Sequence, residues 1–388
     1  MIIIAKRLQS VQEYYFSKKL GEIALLNAEG RDIINLGIGS PDMAPPQQAV
    51  KALSTSANKA AEHGYQSYKG VRELRQAFCD WYAAYYNVSL NPDTEVLPLM
   101  GSKEGITYIS NTYLNEGDKV LVPNPGYPAY AAATKIAGGV VREYDLKEEN
   151  NWFPDLKALQ EQDLTGVKIM WVNYPHMPTG AQASRAQLVE LVTFAERNGI
   201  LLCHDNPYSF ILNNTPLSIF SVMGVAEHVL ELNSLSKSHN LAGWRVGMVA
   251  GHPKHIENIL IAKSNVDSGM FLGIQKGAIK ALEMPSGWYE GLNEIYRERR
   301  KIVWQIMEEL KCSYSRNQAG LFVWGKVRDE VEEVSCLVND LLYKAGVFVT
   351  PGFIFGTNGN RYIRVSLCSD TERLKSALNR IKTLGTKL

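Results

Sequence analysis

Four short aliphatic and β-branched runs constrain this chain more than any other feature: GVKIMWVNYP (166–175), ILLCHD (200–205), HVLELNS (228–234) and RVGMVAG (245–251). Each is almost continuously apolar where a half-buried strand would alternate, so each reads as a strand covered on both faces. Between the first two lies SRAQLVELVTFAERNG. Ser184 and Gln187 form a capping box there, Leu188, Leu191, Val192 and Ala195 line one face, and Gly199 closes the helix. Such strand–helix–strand repetition predicts an α/β fold around a large, doubly wound, mostly parallel sheet.

The texture changes after residue 284. MPSGWYEGLNEIYRERRKIVWQIMEELK reads as one long helix begun near Pro285. GLFVWGKV, VFVTPG and RYIRVSLC then read as strands, and EEVSCLVNDLLYKAG and TERLKSALNRIKTL as helices. This pattern predicts a second, smaller α/β domain made of 285–388, joined by the N-terminal 1–44 with its INLGIG, beside a large cofactor-binding domain over 45–284. No internal repeat or low-complexity linker interrupts the chain.

Composition excludes several functions. A net charge of +1 on 388 residues gives no drive toward nucleic acid or a membrane surface. The opening MIIIAKRLQSVQEYYF is too short in its apolar run for a signal peptide, and no stretch approaches a membrane span. The five cysteines contain no CxxC pair, which fits reduced thiols in a cytoplasmic protein. His63, His176, His204 and His239 lack metal-ligand spacing, so no metal site is expected. His204 and Asp205 adjoin on a strand and must face opposite ways, which argues against a catalytic dyad. GIGSPD (37–42) lacks the third glycine of a dinucleotide loop, and a proline follows where a helix should start.

The chemistry centres on SLSKSHNLAGWRVG (234–247). Alone, Lys237 would read as a surface lysine. It follows a buried strand, however, and so stands at the strand's C-terminal end, where open α/β sheets bind ligands. A lysine partly removed from water near other cations loses its proton readily and can form a Schiff base. Ser234, Ser236 and Arg245 add two hydroxyls and a forked cation suited to phosphate. A ligand with both an aldehyde and a phosphate accounts for the cluster, and pyridoxal 5'-phosphate is such a ligand. Its pyridinium nitrogen needs a carboxylate, and Asp205 ends another core strand with Tyr208 three residues on. Its phosphate needs backbone N–H groups, offered by Gly101, Ser102 and Lys103 before a helical pattern. Tyr127 in NPGYPAY can stack on the ring, and Arg364 in RYIRVSLC can grip a substrate carboxylate. Arg361 lies three positions earlier on the same strand, so only one of the two arginines can point into the site.

With these motifs in place, the chain resembles the class I/II aminotransferases of the aspartate aminotransferase fold (fold type I), nearly end to end. INLGIGSPDMAPP resembles the family's early substrate loop, YQSYKGVRELRQAF its dimer-contacting stretch, and PGFIFGTNGNRYIRVS its C-terminal substrate motif. The resemblance implies that Lys237 is the Schiff-base lysine, that Asp205 pairs with the ring nitrogen, that Tyr208 binds the ring hydroxyl and that Tyr127 stacks. It assigns the phosphate to Ser102 and Lys103 by backbone, with Ser234, Ser236 and Arg245. Tyr65, five residues before Gly70, would reach the partner subunit's phosphate, which implies a homodimer with shared active sites. Gly39 and Arg364 match the substrate-carboxylate contacts. In NYPHMPTG (173–180) the family usually carries asparagine just before PTG, but this chain carries Met177. A thioether donates no hydrogen bond, which leaves the ring hydroxyl to Tyr208 alone or to another donor such as Asn173 or His176. For His176 an ordinary loop role is an equal reading.

The implied reaction is ping-pong transfer of an amino group from an L-amino acid to a 2-oxo acid, with 2-oxoglutarate the expected acceptor. Two alternatives stand beside it: a C–S (β-) lyase on the same cofactor, and a non-catalytic ligand sensor of the same fold.

Overall fold

The structure is a computed structural model that describes residues 2–11, 13 and 15–385; Met1 and residues 386–388, the extremes of the predicted small domain, lie outside it with Gln12 and Tyr14. Its largest sheet has seven strands, in the spatial order Val96–Leu99, Gly247–Gly251, Val229–Ser234, Leu201–Asp205, Val167–Val172, Lys119–Asn124 and Val140–Asp145. The last five run parallel. Gly247–Gly251 runs antiparallel to both of its neighbours. The short helix Leu235–Ser238 and a 3-10 turn at Ala242–Trp244 link it to Ser234 and return the chain antiparallel beside Val229–Ser234.

Why the strands read as unbroken apolar runs is now visible. Ile169, Trp171, Leu201 and Cys203 face one cluster with Ile106 and Ile109 of helix Ser102–Tyr113. Their neighbours Met170, Val172 and Leu202 face the other, with Leu188, Leu191 and Val192 of helix Arg185–Asn198. Alternate residues point to opposite faces, and helices cover both. Each fully buried aliphatic side chain of this kind contributes about 1.5–3 kcal/mol. The capping box at Ser184 and Gln187 is present, with Gly199 in the left-handed conformation at the C-cap.

A second sheet of four antiparallel strands comprises Thr350–Pro351, Tyr362–Ser366, Phe322–Lys326 and Ser313–Tyr314. Ile34–Asn35 pairs in parallel with Val347–Phe348, which ties the early chain to the late one. The long helix Ser286–Glu309 starts after Pro285 and packs on the final helix Thr371–Gly385. Its buried stripe includes Arg299, which donates two hydrogen bonds to Asp42 at 2.6 and 2.8 Å. That pair fixes the loop that carries Gly39. A helix over Tyr15–Ala28, which the sequence reading did not anticipate, lies across the same region. Among the described residues, no helix is long and apolar enough to cross a membrane.

Candidate active site

The C-terminal ends of the parallel strands open into a cavity of about 570 Å³, walled by the second sheet and by the Tyr15–Ala28 helix. Strand Val229–Ser234 delivers Lys237 to it. After Ser234 the backbone turns into the short helix Leu235–Ser238, with the Ser234 hydroxyl accepting from the Ser236 N–H at 3.2 Å. Lys237 Nζ donates to the carbonyl of Gly39 at 2.5 Å. Burial is the main reason its proton affinity lies below that of an ordinary lysine; the Cys368 thiol opposes the shift, and the Arg364 and Arg245 charges add to it. The shift favours the neutral, nucleophilic form of the amine.

Asp205 ends the adjacent strand Leu201–Asp205 and is 4% exposed. Its Oδ2 accepts from the Tyr130 hydroxyl at 2.9 Å, whereas Oδ1 has no hydrogen-bond partner among the described residues. Burial pushes this carboxyl up to about 6, against the lowering effect of the Tyr130 bond and the His204 charge; Glu231 adds to the rise. An open carboxylate oxygen beside the cavity suits a cationic N–H donor. His204 faces away from the cavity, as strand alternation requires, and its Nδ1 meets Glu231 at 2.8 Å.

At one corner, Arg245, Ser234 and Ser236 converge on the start of helix Ser102–Tyr113. Arg245 donates to the Ala242 carbonyl at 3.1 Å and to Ser236 Oγ at 3.4 Å, and the two serine hydroxyls lie 2.9 Å apart. Gly101, at φ +86°, precedes the helix; a Cβ there would stand 2.2 Å from a guanidinium nitrogen of Arg245. The glycine is what lets the arginine lie across the helix end. Burial, and then the Arg245 charge, lower the proton affinity of Lys103. Two cations, two hydroxyls and the N-terminal turn of the helix make a corner suited to a dianion such as a phosphate.

Arg364, 4% exposed on strand Tyr362–Ser366, lies at another side. Its guanidinium sits 3.8 Å from the centre of the Phe322 ring and 4.7 Å from that of Phe355. Nη2 donates to the Gly37 carbonyl at 2.7 Å and Nη1 to the sulfur of Met177 at 3.2 Å. A thioether is a weak acceptor, so a carboxylate can displace it. Gly39 is dictated by this packing, because a Cβ there would meet the Phe322 ring at 2.2 Å. Arg361 points elsewhere, to the carbonyls of Arg328, Val331 and Glu332.

The structure therefore brings Gly39, Ser102, Lys103, Tyr127, Asn173, Asp205, Tyr208, Ser234, Ser236, Lys237, Arg245 and Arg364 to one cavity. Asn173 spends its amide on the backbone: it donates to the Asp205 carbonyl at 2.5 Å and accepts from the Met177 N–H at 2.7 Å. His176 is buried in the loop, bonded to the Thr179 hydroxyl at 2.8 Å, with its basicity lowered by burial to about 3. Gly101 supports Arg245 from behind rather than lining the cavity. Tyr65 is 92% exposed and lies outside its own chain's cavity. Sequence reasoning missed Tyr130, although it stands in the quoted NPGYPAY, one helical turn beyond Tyr127. It also missed Phe16, Leu20, Phe322 and Phe355, whose places are set by tertiary packing.

Comparison with known proteins identifies the family of the chain. Over 380 residues the chain is 40% identical to an LL-diaminopimelate aminotransferase of Desulforudis audaxviator, covering 97% of each chain. Apo-BacF from Bacillus subtilis superposes with a TM-score of 0.95 at 34% identity, over 99% of both chains. A probable N-succinyldiaminopimelate aminotransferase from Thermus thermophilus superposes with a TM-score of 0.87 at 31% identity, over 95% of this chain and 99% of its own. The profile of the family "Aminotransferase class I and II" matches residues 31–381. With the match spanning both sheets and every wall of the cavity except the N-terminal helix, the chain belongs to the class I and II aminotransferases, enzymes that move an amino group between an amino acid and a 2-oxo acid.

Proposed function

We propose that the cavity binds pyridoxal 5'-phosphate and that the enzyme uses it to pass the amino group of an L-amino acid to 2-oxoglutarate. The observation that carries this reading is one juxtaposition. A largely desolvated lysine of lowered proton affinity, a buried carboxylate with one open oxygen and a dianion corner all border the same cavity. Lys237 would hold the aldehyde carbon, Asp205 Oδ1 the ring nitrogen, and Ser102, Lys103, Ser234, Ser236 and Arg245 the phosphate. Tyr127 and Tyr208 would contact the ring and its hydroxyl. When bound, the cofactor supplies an electron sink for the pair left behind at the substrate's Cα. Once the substrate's amino group had taken its place on the aldehyde carbon, the freed Lys237 Nζ would take the proton from the substrate's Cα, and Arg364 would hold the carboxylate so that the Cα–H bond is correctly oriented. The relatives' name makes LL-diaminopimelate the first donor to assay.

The same reading gives Tyr65 to the phosphate of a second copy, which supports a homodimer with shared active sites. Its exposure, and that of Tyr68, Ile261 and Val266, is consistent with a covered face. Borohydride reduction of the protein loaded with pyridoxal phosphate, followed by peptide mapping, should place the label on Lys237. Native mass spectrometry of the same sample should give twice the 43.3 kDa chain. A label elsewhere, or none, overturns the cofactor assignment, and a single-chain mass overturns the sharing.

A further inference from the structure

A carboxylate can turn about its last bond, and its two oxygens are equivalent until a neighbour distinguishes them. At Asp205 the neighbour is Tyr130, whose hydroxyl donates to Oδ2 at 2.9 Å and leaves Oδ1 as the oxygen without a partner among the described residues. The mount of that hydroxyl is rigid. Tyr130 is 1% exposed, lies in the first turn of helix Pro128–Ile136, and stacks on Trp171 at 4.9 Å with the planes 3° apart. Tyr127 closes against its edge at 5.6 Å. The other charged groups near Asp205 are engaged elsewhere. His204 is bound to Glu231, which also accepts from the Tyr82 hydroxyl at 2.6 Å and the Ile219 N–H at 2.9 Å. Lys237 is engaged with Gly39.

We propose that Tyr130 is a positioning residue for the ring-nitrogen end of the cofactor: by fixing Oδ2 it presents Oδ1 to the ring N–H. This inference rests on the pyridoxal phosphate reading above. The same bond favours the ionised carboxylate, which burial alone disfavours. Tyr130 thus opposes the effect of burial on the group that must stay charged to hold a protonated pyridine.

The test is a thermodynamic cycle on full-length protein stripped of cofactor and titrated with pyridoxal phosphate, read by absorbance. Wild type, Tyr130→Phe, Asp205→Ala and the double variant are compared. Tyr130→Phe removes one hydroxyl and keeps the stack on Trp171. It should weaken binding about tenfold and move the acidic limb of the binding-versus-pH curve to higher pH. In the Asp205→Ala background the same change should cost nothing further. Wild-type affinity in Tyr130→Phe, or an equal loss in both backgrounds, would show a merely structural tyrosine and overturn the proposal. Failure of the wild type to take up the cofactor would instead sink the cofactor reading, before any variant is compared.

Discussion

Among the described residues, Lys263 and Lys237 are both drawn out of water, Lys263 the more completely, and they are used in opposite ways. Lys263, 3% exposed at the end of helix Pro253–Ser264, donates to both carboxylate oxygens of Asp267 at 2.9 and 2.7 Å. Asp267 in turn accepts from the Gly269 N–H at 2.8 Å and the Tyr108 hydroxyl at 3.2 Å. Lys237 meets a neutral carbonyl and stands in the field of two guanidinium groups. The acids differ in the same way, because Asp267 has both oxygens occupied and Asp205 has one open. A buried charge with its complement in place holds structure. A buried charge without one is costly, and the cavity concentrates that cost on the groups available to a ligand.

This contrast can be broken by experiment. The largest effect on stability is expected at the paired site, where Lys263→Met leaves Asp267 buried without its cation. Denaturant titration should show a loss of about 3–5 kcal/mol, with turnover per folded molecule unchanged. A loss below 1 kcal/mol would erase the distinction between the two regions. At the open site the sign reverses and depends on pH. The folded-state pKa of Asp205 is raised to about 6, so the folded protein holds this proton more tightly than the unfolded chain does. Its contribution to stability is complete below about pH 4 and is lost as pH rises through 6. Asp205→Asn should therefore stabilise the cofactor-free protein by about 2–3 kcal/mol at pH 8, and the gain should fade toward pH 4. An equal gain at both pH values would contradict the buried-carboxylate account. The smallest expected effect is kinetic: Arg364→Lys keeps the charge but loses the fork, so KM for the amino donor should rise about 10- to 100-fold with a smaller change in kcat. An unchanged KM would remove Arg364 from the substrate site.

What the sequence disclosed, and what it withheld, follows from the range of the forces involved. The strand runs, the Ser184 cap and the helix after Pro285 are local patterns, and the structure contains all of them. The direction of Gly247–Gly251 was not legible, because apolar content is the same whichever way a strand runs. At the site, the resemblance named most residues that meet in the cavity, since their spacing along the chain is itself a motif. Tyr130 was passed over because a tyrosine in the first turn of a helix reads as packing until Asp205 is seen across from its hydroxyl. Met177 was noticed as a departure, but its contact with Arg364 joins a loop to a strand 187 positions away, which no pattern of neighbours encodes. Phe16 and Leu20 arrive from a helix whose apolar residues form no marked stripe.

The pairing of Ile34–Asn35 with Val347–Phe348 has a consequence for how the enzyme is made. A nascent chain growing at about 5–20 residues per second must carry the first of these segments, partnerless, through roughly 300 further residues, for tens of seconds. Arg364 leaves the ribosome later still. A product stalled before residue 364 would already own Lys237, Asp205 and the corner of Arg245, Ser234 and Ser236, yet lack the guanidinium proposed to grip the substrate, so on the proposed reading competence waits for a strand more than a hundred residues beyond the lysine.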